Sequence, residues 1–329
     1  MGDPIARVDG VKRALICGVS GQDGAYLAKL LLSKGYDVFG TSRDAQMSHF
    51  ENLRRVGAFD DVRLESMAVT DFRSVLQVIR KTMPDEIYNL AGQSSVSLSF
   101  QQPVETLESI GTGTLNLLEA IRFIDSPVRF YNAGSSECFG DTGGVAASEE
   151  TPFRPRSPYA TAKAAAFWEV ANYREAYGLY ACSGILYNHE SPLRPPRFVT
   201  RKVVAAAARI AAGSGETLRL GNLDVERDWG WAPEYVEAMW LMLQQNEPCD
   251  YVIATGEYNR LSDFVELAFK EVGLNWNDHV VLDPSFFRPT DLRRGLGDPS
   301  LAAKQLGWKA KYRMKDVVKM MIDAERAGN

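Results

Sequence analysis

The chain of 329 residues is 45% hydrophobic, has no low-complexity tract and can bury a core large enough for one large or two small domains, which excludes a disordered polypeptide. Its net charge of −5 gives no electrostatic reason to approach a phosphate polymer or an anionic bilayer, so neither nucleic acid nor membrane is an expected partner. Cys17, Cys138, Cys182 and Cys249 are scattered without ligand spacing, Met1–Lys12 lacks the apolar centre of a signal peptide, and no apolar stretch reaches the roughly 20 residues of a membrane span; the expectation is reduced thiols, no metal site and a cytoplasmic location.

Arg13–Cys17 is a short apolar run ending at a glycine, and the amphipathic stretch Ala25–Lys34 follows it, which reads as strand, tight turn, helix. The unit then repeats. Apolar runs at Asp37–Gly40, Val62–Met67, Glu86–Leu90, Val128–Ala133 and Ala181–Tyr187 alternate with helical patterns at Phe72–Lys81, Glu105–Ile124 and Ala160–Tyr177. Such alternation predicts an α/β fold with a doubly wound parallel sheet covered on both faces. Beyond Tyr187 the rhythm changes: Pro192, Pro195 and Pro196 break the chain, and shorter helical patterns follow at Val199–Ala212, Tyr235–Gln244, Leu261–Val272 and Met314–Arg326. They predict a smaller, mostly helical C-terminal cap. The expected division is 1–187 for the sheet domain and 188–329 for the cap, interleaved with the first.

Between the first strand and the first helix, Gly18, Gly21, Gln22, Asp23 and Gly24 form a turn with glycines three apart. That spacing lets backbone amides and a helix N-terminus approach a pyrophosphate, so a dinucleotide is expected there in a Rossmann-type domain. The second strand ends near Arg43, and a cation at that place suits the 2′-phosphate of NADP better than the bare ribose of NAD, with Asp44 beside it as the opposing signal. Tyr159 and Lys163 share one helix face at a four-residue spacing. An ammonium there lowers the phenol's pKa, so that Tyr159 can take a hydroxyl proton near neutral pH while Lys163 also holds the nicotinamide ribose. Ser135 and Glu137 follow the predicted fifth strand at the carboxyl edge of the sheet, where Ser135 can bond the same hydroxyl and Glu137 offers a second base. Their competing reading is a polar loop with a helix cap.

Together these residues resemble the extended short-chain dehydrogenase/reductase superfamily, and longer strings resemble the GDP-mannose 4,6-dehydratase family within it. The strings include Gly18 to Leu27, Tyr88-Asn89-Leu90-Ala91, Pro152 to Tyr159, Asn188-His189-Glu190-Ser191-Pro192, Phe198 to Lys202, Gly221 to Asp224, Arg227 to Gly230 and Asp250 to Glu257. The resemblance runs from about Arg13 to Lys309. It implies a substrate-binding cap, an NADP cofactor and a GDP-linked sugar, with oxidation at C4, removal of the C5 proton by Glu137, loss of water from C6 and return of the hydride to C6. It also implies that Leu90, Ala91 and His189 join the cofactor site, and that Ser94, Asn188, Val199, Lys202, Leu218, Gly221, Arg227, Arg288 and Asp291 hold the GDP-sugar, with Gln93 beside Ser94. A homodimer or homotetramer follows by the same resemblance, through the helical patterns at Glu105–Ile124 and Ala160–Tyr177.

Several positions depart from the family's pattern. Ser135 stands where threonine is usual, Ala68 where an aspartate meets the adenine, Asp44 where a second arginine supports the 2′-phosphate, Gly92 for alanine, Gly134 for serine, Asp291 for glutamate and Arg293 for an acidic residue. A different GDP-hexose or a GDP-heptose is therefore an alternative substrate. A GDP-4-keto-6-deoxy-sugar reductase or a nucleotide-sugar epimerase would share the glycine turn and the Tyr159–Lys163 pair but would not need Glu137, and a non-enzymatic NADP sensor would need none of the chemistry.

Overall fold

Parallel strands covered on both faces must be apolar along their whole length, and the first run, β1 (Arg13–Cys17), is buried at every residue. The computed structural model describes residues 5–287, 290 and 292–328. After β1 come α1 (Gln22–Ser33), β2 (Asp37–Ser42), α2 (Glu51–Arg55), β3 (Arg63–Ser66), α3 (Phe72–Thr82) and β4 (Glu86–Asn89). Then follow α4 (Val96–Gln101), α5 (Pro103–Leu107), a π-helical turn (Glu108–Thr112), α6 (Gly113–Ile124), β5 (Arg129–Ala133), a 3-10 turn (Ser136–Phe139), α7 (Pro158–Tyr177) and β6 (Ala181–Leu186). The later elements are β7 (Asn188–Glu190), α8 (Val199–Ala211), β8 (Leu218–Leu220), β9 (Glu226–Arg227), β10 (Trp229–Trp231), α9 (Ala232–Met242), β11 (Tyr251–Ile253), β12 (Asn259–Arg260), α10 (Leu261–Glu271), β13 (Val280–Leu282), α11 (Ser300–Gln305) and α12 (Met314–Arg326).

The main sheet has seven strands in the order β11-β6-β5-β4-β1-β2-β3. From β1 the chain moves outward through β2 to β3 and then crosses back to β4, so the order reverses between β1 and β4; crevices for ligands form at such switch points, outside the carboxyl ends of the strands. The doubly wound α/β expectation holds. Leu15, Phe39, Ile87 and Phe130 of the sheet pack with Val75 and Ile79 of α3, Leu117 and Ile121 of α6 and Val170 of α7. Helix α3 starts cleanly because Asp71 caps it, accepting from the amides of Arg73 and Ser74.

The chain divides into two compact units, Met1–Cys138 with Pro155–Ile185 and Val236–Tyr251, and Phe139–Arg154 with Leu186–Tyr235 and Val252–Asn329. In the second unit, Val203 and Val204 of α8, Phe264 and Phe269 of α10 and Met321 and Ile322 of α12 form a core of their own with Trp229. Three strand pairs accompany these helices: β7 with β10, β9 with β12 and β8 with β13. Runs of two or three residues are too short to show a period, which is why the sequence reads as helical there. The other difference lies in the expected helix at Glu105–Ile124. It begins at Pro103 and opens into the π-helical turn, where Gly113 lies against Val69, a Cβ there coming 3.1 Å from its Cγ2.

At the amino end of β4, the buried carboxylate of Glu86 accepts from Lys12 Nζ at 3.1 Å, the Tyr36 hydroxyl at 3.0 Å, the Tyr88 hydroxyl at 2.7 Å and Gln244 Nε2 at 3.2 Å. Removing it strands the fully buried Tyr88 hydroxyl. Glu86→Leu is expected to lower stability by about 3 kcal/mol, read as a lower midpoint in urea denaturation.

Candidate active site

The glycine turn lies at the switch point. Gly18 has φ +87°, open to glycine at little cost, and a Cβ there would lie 2.9 Å from Leu90 O and 3.0 Å from Ala91 N, so the turn is pressed against the chain leaving β4. At Gly24 a Cβ would meet Gly18 O at 2.5 Å, which lets α1 start directly on the turn. Gly21 is the N-cap of α1 and supplies no side-chain bond, leaving first-turn amides for another acceptor. Gln22 Nε2 donates to Asp23 Oδ1 at 2.9 Å. These features, a backbone cradle that any Cβ would fill and an uncapped helix start, fit a dinucleotide pyrophosphate.

Arg43 follows β2 directly and is exposed. The Asp44 carboxylate beside it turns back to accept from the amides of Gln46 and Met47, both at 3.0 Å, while Ser42 and Ser48 join their hydroxyls at 2.8 Å. Ala68 offers only backbone, its amide donating to Ser74 Oγ at 3.1 Å. Asp71 does not replace the missing carboxylate, because it is spent on the cap of α3.

Tyr159 and Lys163 lie in the first turns of α7. Pro158 at the first helical position and Ser157 as N-cap, its hydroxyl accepting from Ala160 N at 3.1 Å, fix where this helix begins. Both side chains are buried, and Lys163 Nζ lies 5.9 Å from the centre of the Tyr159 ring. Lys163 Nζ donates to the carbonyl of Ala133, at the carboxyl end of β5, over 2.7 Å. Burial lowers its pKa to about 8, which the nearby Cys138 and Asp23 only partly oppose. Ser135 is buried after the same strand, and its hydroxyl accepts from Glu137 N at 3.3 Å. Glu137 is half-buried in the 3-10 turn, and among the described residues no ion pair or cap takes up its carboxylate.

Ser94 is exposed, whereas Gln93 is fully engaged: its Nε2 donates to Ser95 O and Thr106 Oγ1, and its Oε1 accepts from Ser95 N. The departures in glycine have local causes. Gly92 has φ +111° and leaves 3.0 Å between a notional Cβ and Ile110, and a Cβ on Gly134 would come 2.9 Å from Gly184 O.

The second unit holds most of the expected sugar-nucleotide residues. Asn188 pairs with Trp229 in the β7–β10 ladder; the buried His189 bonds Tyr187 O through Nδ1 at 2.7 Å and stacks on Tyr235 at 4.5 Å. Val199 opens α8, Lys202 Nζ donates to Arg219 O at 2.6 Å, and Leu218 opens β8. Lys202 and Gly221 meet at one residue: the ammonium lies 4.2 Å from the Phe286 ring, and a Cβ on Gly221 would lie 2.9 Å from Phe286 O. Arg227 is buried and donates through Nη1 to Leu292 O at 2.8 Å. Arg288 and Asp291 lie outside the described residues.

Two groups escaped the sequence reading. The Ala133 carbonyl is a backbone atom and leaves no signal in residue type. Asp228, next to Arg227, is buried and accepts from the amides of Thr255 and Gly256 at 2.9 to 3.1 Å, and burial pushes its pKa up to about 6. A carboxylate between arginine and tryptophan reads as surface charge until its burial is known.

The family model described as GDP-mannose 4,6 dehydratase matches residues 15–321. GDP-mannose 4,6 dehydratase 1 of Arabidopsis thaliana is 48% identical over 95% of this chain and 90% of its own length, and the GDP-mannose 4,6-dehydratase of Sinorhizobium fredii is 46% identical over 94% and 95%. The Thermus thermophilus UDP-glucose 4-epimerase, solved as a complex with NAD, superposes with a TM-score of 0.83 at 28% identity, covering 96% of this chain and all of that one. With a family model spanning nearly the whole chain and relatives from a plant and a bacterium at almost half identity, the chain belongs to the GDP-mannose 4,6-dehydratase family.

Proposed function

We propose that the protein converts GDP-mannose to GDP-4-keto-6-deoxymannose, with NADP as a recycled cofactor. The observation that carries this reading is the buried ammonium of Lys163, bonded to Ala133 O on the helix face that also bears Tyr159, with the half-buried Glu137 on the turn after the same strand. A nicotinamide cofactor held at the glycine turn would supply a hydride acceptor for C4 and a hydride donor for C6. Tyr159 removes the C4 hydroxyl proton, and the Lys163 ammonium favours the phenolate that does so. Ser135 bonds that hydroxyl and orients it. A ketone at C4 makes the C5 proton acidic, so Glu137 can remove it and pass it to the departing C6 hydroxyl, which leaves as water; C5 then regains a proton, the one Tyr159 took from the C4 hydroxyl, as C6 is reduced. Gly18, Gly21 and Gly24 with Leu90, Ala91 and His189 hold the dinucleotide. Asn188, Val199, Lys202, Leu218, Gly221 and Arg227, with Ser94, Arg288 and Asp291, hold the GDP-sugar, where cations suit the diphosphate.

NADP is favoured over NAD by Arg43, whose neighbour Asp44 is already occupied by two backbone amides. The fold-related Thermus thermophilus epimerase was solved with NAD, which supports a nicotinamide cofactor. No helix among the described residues is long and apolar enough to cross a membrane. The partner proposed is a second copy of the chain: Val104, Leu107, Phe123, Trp168 and Tyr177, large apolar side chains of α5, α6 and α7, are exposed.

Incubating the protein with GDP-mannose and NADP⁺ should yield the 4-keto-6-deoxy product by mass spectrometry without net NADPH; accumulation of NADPH, or no product, sinks the reading. Tyr159→Phe should lower kcat at least about 100-fold while NADP⁺ affinity stays within about threefold. Glu137→Gln should still oxidise C4, leaving NADPH bound and visible by its absorbance, and should release no product. Trp168→Glu should reduce the mass measured by light scattering to that of a smaller assembly.

A further inference from the structure

The middle of a covered parallel sheet ordinarily carries apolar side chains, yet β4 ends in a buried amide, Asn89, and β5 carries another, Asn132, one residue before its end, the two set opposite each other in register. Asn89 Nδ2 donates to Thr114 Oγ1 and to Asn132 Oδ1, both at 3.1 Å, and Asn132 Nδ2 reaches Ser183 Oγ at 3.5 Å. The Thr114 hydroxyl in turn donates to Ile110 O, within the π-helical turn, at 2.7 Å. Thr114 and Ser183 are fully buried, out of contact with bulk solvent. Two points of this ladder adjoin the catalytic pair. Ile110 packs with Tyr159, Ala162 and Ala166, and Asn132 is the residue before Ala133, whose carbonyl binds Lys163 Nζ.

Replacing a paired set of buried polar groups by apolar ones of the same shape is often nearly neutral for stability, so stability alone does not account for four polar side chains here. What a satisfied network adds is one fixed arrangement. We propose that Thr114, Asn89 and Asn132 are positioning residues, a bonded ladder that holds the Ala133 carbonyl under the Lys163 ammonium and the Ile110 platform against Tyr159. This rests on the catalytic reading of Tyr159 and Lys163 above and assigns what keeps the two groups in one geometry.

The ladder has a titration signature because the ammonium has few other partners. The titratable groups facing Lys163 are Cys138, whose thiol burial pushes up to about 12, Asp23, and the Tyr159 phenol, and changes at Thr114 or Asn132 alter none of them. A displaced Ala133 carbonyl weakens the charged ammonium more than the neutral amine, because the bond to the ammonium is charge-assisted, so the pKa of Lys163 falls.

The test compares the wild type with Thr114→Val, which removes only the hydroxyl, with Thr114→Ser, which keeps it, and with Asn132→Leu. Three measurements are made: turnover of GDP-mannose, the melting temperature, and NADP⁺ binding by calorimetry from neutral to alkaline pH, which needs neither substrate nor turnover. In Thr114→Val and Asn132→Leu, kcat should fall about tenfold with KM changed less than about twofold, and the alkaline midpoint of NADP⁺ binding should move about one unit lower. Thr114→Ser should behave as the wild type, and the melting temperature of Thr114→Val should fall by only about 2–4 °C, because Asn89 Nδ2 loses one acceptor, so that the variant is fully folded where its turnover is measured. An unmoved midpoint with wild-type turnover in Thr114→Val overturns the proposal, as does a loss of activity that follows the melting temperature and that serine does not repair. If the wild type fails to turn over GDP-mannose, the dehydratase reading fails while the binding midpoint still decides the ladder. Should Asn132→Leu not fold, the valine and serine pair at Thr114 decides it alone.

Discussion

An ammonium buried in protein must find an acceptor, and the one that Lys163 finds is the carbonyl of Ala133. Much of the local architecture is the consequence. The carbonyl is available because β5 ends there, and the chain turns away at Gly134, whose amide crosses to Gly184 O at 2.8 Å. That crossing is close: a Cβ on Gly134 would come 2.9 Å from Gly184 O, and one on Gly184 would come 2.5 Å from the Tyr131 hydroxyl. A glycine just after β5 and another within β6 therefore allow the two strands to approach this closely beside the Ala133 carbonyl. On the other side, Ser157 and Pro158 set the start of α7 so that Lys163 falls one turn after Tyr159 and faces the strand end.

The same edge of the sheet carries the glycine turn. Cys17, at the end of β1, is in register with Thr41 and Asn89, so the turn leaving β1, the chain leaving β2 and the chain leaving β4 emerge together. Gly18 sits against Leu90 and Ala91 because its positive φ and lack of a side chain permit it. Strand order explains why the turn and the Tyr159–Lys163 pair belong to one edge although they are more than a hundred residues apart: crossing from β3 back to β4 leaves a crevice beside β1, and β4 pairs directly with β5. A reaction that removes and returns a hydride at one sugar needs its acid–base groups and its dinucleotide cradle on one rigid scaffold. Strand ends of a single sheet supply that scaffold.

Much of this was legible in the sequence. The strand–helix alternation gave the sheet domain because a doubly wound sheet requires continuous apolar runs, and Gly18 to Gly24 announced the turn because only glycines allow such close backbone contact. Short strands such as β9 and β12, two residues each, were not legible, since no period fits in two residues. The break at Glu108–Thr112 was hidden as well, because Ser109, Ile110 and Thr112 keep an acceptable helical pattern, while the close approaches of Gly92 to Ile110 and of Gly113 to Val69 are tertiary. The Tyr159–Lys163 spacing was visible, but its anchor was not: a main-chain carbonyl has no residue type. Asn89 and Asn132 carry no pattern of their own, and their pairing depends on a register that the sequence does not display.

Asp228 shows the same trade of local cost for geometry in the second unit. Its carboxylate is buried, and burial raises its pKa to about 6 in spite of the amides of Thr255 and Gly256 that it accepts. A carboxyl group whose folded pKa lies above its unfolded one contributes most below the unfolded value and loses that contribution as pH rises through about 6, so near neutrality this residue costs stability. What the cost secures is rigidity beside Arg227. The two amides fix Asp228, the β7–β10 ladder fixes Trp229 after it, and Arg227 is thereby held with its Nη1 on the carbonyl of Leu292. A guanidinium whose backbone cannot move loses less entropy when it binds an anion, which suits the role proposed for Arg227. An apolar residue at 228 would relieve the buried charge but leave the amides of Thr255 and Gly256 without their acceptor, so the carboxylate is the less costly way to keep that stretch in place.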